Sequence, residues 1–139
     1  MEFIRLVSPR YFDRQKQRFQ SWAFQNSSEN RGGGISLIEK DCIVAGTSPS
    51  ICEHVRRYYE STAGDVVIFW EVPSDLPAGA RLEQKTTDSG DSCHYNLRDL
   101  SDNQAKQYFK SAAPSLEGFR ICDGDHHREL TLEDITRYE

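Results

Sequence analysis

The sequence predicts an α+β fold over 1–139, a single globular domain in which a curved mixed or antiparallel sheet carries two main helices, at about 48–61 and 101–112. Three observations lead there. Asp65 to Pro73 is a short apolar run, Val-Val-Ile-Phe-Trp before Glu71, whose β-branched and aromatic content favours a strand covered on both faces. Ile51, Val55, Tyr58 and Tyr59 recur at helical spacing just upstream, and Gly64 ends that pattern. Ala105, Tyr108, Phe109 and Ala112 form a second apolar stripe, closed by Pro114.

Taken in order, Phe3 to Val7 reads as a strand ended by Ser8-Pro9. Arg14 to Arg18 reads as a loop, and Phe19 to Phe24 as a strand or irregular segment. Asn26 to Gly34 is a polar turn cluster ending in three glycines; no GKS or GxGxxG pattern follows, so a flexible loop is favoured over a phosphate cradle. Ile35 to Val44 is expected to be a strand with a break near Glu39 to Asp41. The first helix starts either with Ser48 as cap before Pro49, or with Ser50 paired to Glu53 in a capping box. Arg81 to Thr87 resembles an edge strand, and Cys93 to Leu97 a short strand. Ser101 and Gln104 form the capping box of the second helix. Phe119 to Cys122 is expected to be the last strand, with Asp123-Gly124 a hairpin turn, and Thr131 to Tyr138 a short terminal helix.

Hydrophobic residues are 37% and charged residues 28%, which predicts a small aromatic core under a wet surface. A net charge of −5 argues against a general nucleic-acid binder. Arg10, Arg14, Lys16 and Arg18, offset only by Asp13, are a local exception, either a solvated face or a docking patch for an acidic segment. No basic leader precedes an apolar run, and no window reaches the roughly 18 apolar residues of a membrane span. The expected setting is cytoplasmic, with Cys42, Cys52, Cys93 and Cys122 reduced and the sequon at Asn26 irrelevant.

Four cysteines and four histidines raise the question of zinc, through Cys52 with His54, Cys93 with His94, and Cys122 with His126 and His127. There is no CxxC or HxxxH spacing, and neighbours such as Cys93 and His94 on a strand point to opposite faces, so no metal is expected. A nucleophilic Cys93 or Cys122 with a distant histidine base is weighed against buried, inert thiols, and the latter is favoured. The polar run from Asp91 to Asn96 supplies candidate cleft residues His94, Tyr95 and Asn96.

Phe19 to Phe24, Gly34-Ile35-Ser36-Leu37, His54 and the Asp91 to Asn96 run resemble a family of small uncharacterised bacterial proteins with an S-x-A-F element, a short L-S-V strand and a late histidine strand before a final helix. The resemblance runs to about Ala112 and implies a bacterial, cytosolic protein; it carries no activity. A second pattern is similar to the ADP-ribosyltransferase fold, with Arg5, Ser36 and Glu71 in the places of its NAD-contacting and catalytic residues. That likeness implies NAD as cofactor, but the E-x-E or Q-x-E, S-T-S and H-Y-E signatures are missing. The favoured expectation is an interaction or regulatory module that binds a protein partner and uses no cofactor. Arg14, Arg18, His94, Tyr95 and Asn96 are its candidate binding residues. A homodimer is one form, with the acidic 123–139 segment of one copy on Arg10 to Arg18 of another. Whether the chain is an enzyme is left open.

Overall fold

The computed structural model describes residues 2–20, 35–45, 50–63, 66–73, 75–112 and 116–136. The S-x-A-F element, the sequon and the triple glycine lie outside them. The expected α+β class holds. Nine strands and four helices are formed among the described residues; the two expected main helices are the longest of these, and a short helix over 40–45 joins the expected terminal one.

The centre of the sheet is β1 (Phe3–Val7), flanked by β4 (Ile35–Glu39) and β5 (Ile68–Val72). Beyond β4 come β7 (His94–Arg98) and the edge strand β6 (Arg81–Gln84); beyond β5 come β8 (Phe119–Asp123) and the other edge, β9 (His126–Glu129). Every pairing is antiparallel. The apolar run around Trp70 is thus a strand with neighbours on both sides, and Phe69 and Trp70 are fully buried. The hairpin turn at Gly124 (φ 66°) leads into β9, a strand whose sequence His-His-Arg-Glu gives no apolar signal.

Alternation distributes the side chains between two cores. One face collects Phe3, Val7, Ile35, Leu37, Ile68, Trp70, Leu97, Phe119 and Ile121. It is covered by α3 (Asp102–Ala112), α4 (Leu132–Thr136) and a small hairpin of β2 (Phe12–Asp13) and β3 (Arg18–Phe19). Phe19 anchors that hairpin by stacking on Phe119 at 4.6 Å. The opposite face collects Ile4, Ile38 and Phe69 under α1 (Lys40–Ala45) and α2 (Ile51–Ala63). Residues 40–45, expected to continue a strand, are this α1 helix instead. The strand ends where Glu39 N–H bonds to the Cys93 carbonyl, and Ile43 then turns into the α2-side core.

Caps settle where the helices begin. Ser50 Oγ accepts the Glu53 N–H at 3.1 Å, which selects the Ser50 start for α2. Ser101 and Gln104 exchange reciprocal bonds of 3.1 and 2.9 Å, a complete capping box for α3. Thr131 and Asp134 do the same for α4, and Arg128 holds the Asp134 carboxylate bidentately at 2.6 and 2.7 Å. Leu130 and Ile135 are buried as well, so the segment through 136 packs on its own core.

The four cysteines form two disulfides, Cys42–Cys93 and Cys52–Cys122, which corrects the expectation of reduced core thiols. Their residues lie 51 and 70 positions apart, and nothing local in the sequence marks the pairing. One ties α1 to the start of β7, the other ties α2 to β8. Among the described residues no helix is long and apolar enough to cross a membrane.

Gly118 sits at φ 84° in the turn before β8, where a Cβ would meet Trp70 Nε1 at 3.3 Å, and its carbonyl accepts the Glu71 N–H at 2.9 Å. A Gly118→Ala variant is expected to lose about 1–3 kcal/mol through the left-handed backbone and the indole contact. Urea unfolding followed by Trp fluorescence checks this, and an unchanged midpoint would remove Gly118 from the account of the β5–β8 junction.

Candidate functional site

The most elaborate polar arrangement lies beneath α2, where the helix meets the turn that opens β7. Asp91 is only 1% exposed and its carboxylate gathers three groups. Oδ1 accepts the Cys93 N–H at 2.9 Å and lies 3.0 Å from Nε2 of the buried His54. Oδ2 accepts a hydrogen bond from the Tyr59 hydroxyl. The Asp91 N–H is itself held by Thr87 Oγ1 at 3.0 Å, and Ser89 Oγ donates to the Tyr58 carbonyl at 2.8 Å. α2 kinks at Tyr59 (φ −130°, ψ 20°), the residue whose hydroxyl reaches the carboxylate.

Burial alone would push the Asp91 carboxyl up, but the contacts from His54, Tyr59 and the Cys93 N–H outweigh it and hold it below the usual range. Burial and the adjacent carboxylate together push the Tyr59 phenol well above its ordinary value. Cys93 adds its sulfur to the group: one donor atom each from His54, Asp91 and Cys93 lie within 4.8 Å of one another. The Cys42–Cys93 disulfide attaches a second sulfur, from the half-buried Cys42, to one side of this group. A carboxylate, an imidazole and a phenol there form a buried polar network beside a disulfide.

A second, half-exposed group lies on the same face. Arg120 Nε donates to His127 Nδ1 at 3.0 Å, which puts the imidazole proton on Nε2. Burial and Arg120 lower the His127 pKa against the opposing pull of Glu71, which sits 3.9 Å from Arg120. His127 also packs edge-on against Phe69 at 5.1 Å.

The residues singled out on the sequence are distributed as the strand alternation requires. Ile4 pairs with Glu71 and Arg5 with Trp70, so Arg5 and Glu71 project from opposite faces of the sheet. Arg5 Nη1 donates to the Ser36 carbonyl at 3.0 Å, and burial lowers its pKa to about 10, leaving it cationic at neutral pH. The Ser36 side chain lies on the Glu71 face, one strand removed across β1. The arrangement therefore does not converge Arg5, Ser36 and Glu71 on one ligand. His94 and Asn96 share the α2 face and are buried, whereas Tyr95 projects to the other face against Phe3. His94 Nδ1–H donates to the Lys85 carbonyl at 2.8 Å, which fixes its tautomer. Arg14 and Arg18 lie on the β2–β3 hairpin, far in sequence from that group.

The pairing of Cys93 with Cys42 and its meeting with His54 and Asp91 were missed, because the partners come from three separate elements. The only local signal was the polar density of Asp91 to Asn96. Comparison with protein-family models, curated proteins and solved structures gives no match.

The folded Asp91 pKa lies below its unfolded value, so its stabilising contribution is complete above about pH 4 and is lost as pH falls through the folded value. An Asp91→Asn variant should be less stable by about 2 kcal/mol at neutral pH. The gap to the parent chain should narrow as pH is lowered below about 4. Urea midpoints across that range test this; a gap independent of pH would show that the ionised form is not what stabilises.

Proposed function

We propose that the chain is a small interaction module that binds a protein partner, with the basic β2–β3 hairpin as its docking element and an acidic segment of the partner as its target. The observation that supports this reading is the concentration of Arg14, Lys16 and Arg18 on one hairpin, with Arg10 in the turn just before it, in a chain whose net charge is −5. Residues 14–17 at its tip are exposed. Asp13, the carboxylate within that stretch, accepts the N–H groups of Gln15 and Lys16 at 3.0 and 3.2 Å and so shapes the turn. Phe12 and Phe19 hold the hairpin on the core, which gives the tip a rigid base. Positive charge at a rigid, exposed turn favours steering and register on an acidic partner.

A homodimer built from the 123–139 segment has less support, since that segment is folded onto its own sheet through residue 136. The NAD-handling alternative is not carried by the placement of Arg5 and Glu71 on opposite faces. Membership in a small bacterial family and a cytoplasmic setting remain part of the proposal. In such a setting glutathione and thioredoxin would hold Cys42 and Cys93 as thiols, whereas an oxidising compartment would keep the disulfides.

Fluorescence anisotropy with a labelled glutamate-rich peptide tests the reading. Binding is expected to weaken as salt is raised past about 0.1 M, where the screening length is about 10 Å. A double Arg14→Glu, Lys16→Glu reversal should weaken it at least about tenfold, a loss of about 1.4 kcal/mol. A peptide that binds both chains equally, or neither, would overturn the hairpin as docking element.

A further inference from the structure

We propose that reduction of the Cys42–Cys93 disulfide converts the cluster beneath α2 into a zinc site, with Cys42 Sγ, Cys93 Sγ, His54 Nε2 and Asp91 Oδ1 as ligands. Zinc takes four such donors in a tetrahedron, and thiolate and imidazole donors at about 2.0–2.3 Å from the ion stand about 3.5 Å from one another. His54, Asp91 and Cys93 already hold their donor atoms within 4.8 Å of each other, close to that size. Cys42 Sγ is bonded to Cys93 Sγ but lies outside that group of three, so as the fourth donor it would have to move in with the short α1 helix once the S–S bond is broken.

Two further features fit a metal site. His54 is 4% exposed and its Nε2 lies 3.0 Å from Asp91 Oδ1, so a buried ligand nitrogen faces the carboxylate of the cluster. Asp91 is oriented from behind by the Tyr59 hydroxyl on Oδ2 and by the Cys93 N–H, the kind of outer support that metal-binding carboxylates have. Among the described residues no comparable group surrounds the Cys52–Cys122 disulfide. Two sulfurs, one imidazole and one carboxylate favour zinc over calcium or magnesium, which take oxygen donors.

The chemistry balances with a water-soluble phosphine as reductant. The phosphorus attacks one sulfur, the S–S bond breaks, and the other sulfur leaves as a thiolate. Water then displaces the phosphine as its oxide, so one phosphine and one water give two thiols and one phosphine oxide. Zinc binding by both thiolates releases two protons.

The full-length chain is reduced with the phosphine under nitrogen, incubated with zinc alone, alkylated, and mapped by mass spectrometry. About one zinc per chain is expected, with loss of alkylation at Cys42 and Cys93 but not at Cys52 and Cys122. The oxidised chain should take up none. Tyr59→Phe, which leaves every ligand in place, should lower zinc affinity by about tenfold. Zinc that protects neither cysteine, or that protects Cys52 and Cys122 instead, overturns the proposal. So does a reduced chain that loses its far-UV circular dichroism and does not regain it with zinc.

Discussion

Strands β1 and β5 pair residue for residue from Phe3 opposite Val72 to Val7 opposite Ile68, in the interior of the sheet. Because side chains alternate with a period of two, this register assigns every neighbour to a face. Phe3, Val7, Ile68, Trp70 and Val72 go to the α3 side, and Ile4 and Phe69 go to the α2 side. A slip of one residue would exchange these sets and turn Phe69 away from α2. The same register separates Arg5 from Glu71 and brings Glu71 onto the face shared with Arg120 and His127. Function on this scaffold is therefore partitioned by face before any loop is considered.

On the α2 face, tertiary ties replace what local sequence supplies elsewhere. α2 is fastened near its start by Cys52–Cys122 and near its kink by the Tyr59 and His54 contacts to Asp91. In the chain-entropy description, closing loops of 51 and 70 residues stabilises the fold by about 4 kcal/mol each. For a chain with a modest core, two such constraints are comparable to its whole net stability. On the α3 face no disulfide is needed: aromatic stacking of Phe19, Phe119 and Trp70 and the three reciprocal contacts of the α4 cap hold the layer.

Much of the fold was legible because it is written locally. The capping boxes at Ser50 and Ser101, the buried run around Trp70 and the Asp-Gly turn each depend on residues within a few positions of one another. The strand β9 was not legible, since His126 to Glu129 are polar and form a strand only because β8 offers an open edge. The α1 helix was hidden for a similar reason: Ile43 and Val44 suit a strand by propensity, and the bonds of Glu39 and Lys40 to Cys93 and Glu2 decide otherwise. The candidate site was the least legible part. His54 and Asp91 are 37 residues apart, and their adjacency follows from α2 lying across the sheet, which no spacing rule encodes.

Stability alone is a weak reason for the His54–Asp91–Tyr59 arrangement. A buried carboxylate beside an imidazole recovers little more than its own desolvation, and apolar residues of the same volume would serve the core as well. The arrangement also sits beside one disulfide and not the other. Opening Cys42–Cys93 would release α1, while Ile51 and Val55 keep α2 on the sheet and the Tyr59 hydroxyl stays on Asp91. The two sulfurs could then part by a movement of the short α1 helix, with the nitrogen and oxygen donors held still. A polar cluster with one movable and one fixed half is what a redox-dependent site requires, and α1 and the packed α2 are the two halves on which the zinc proposal rests.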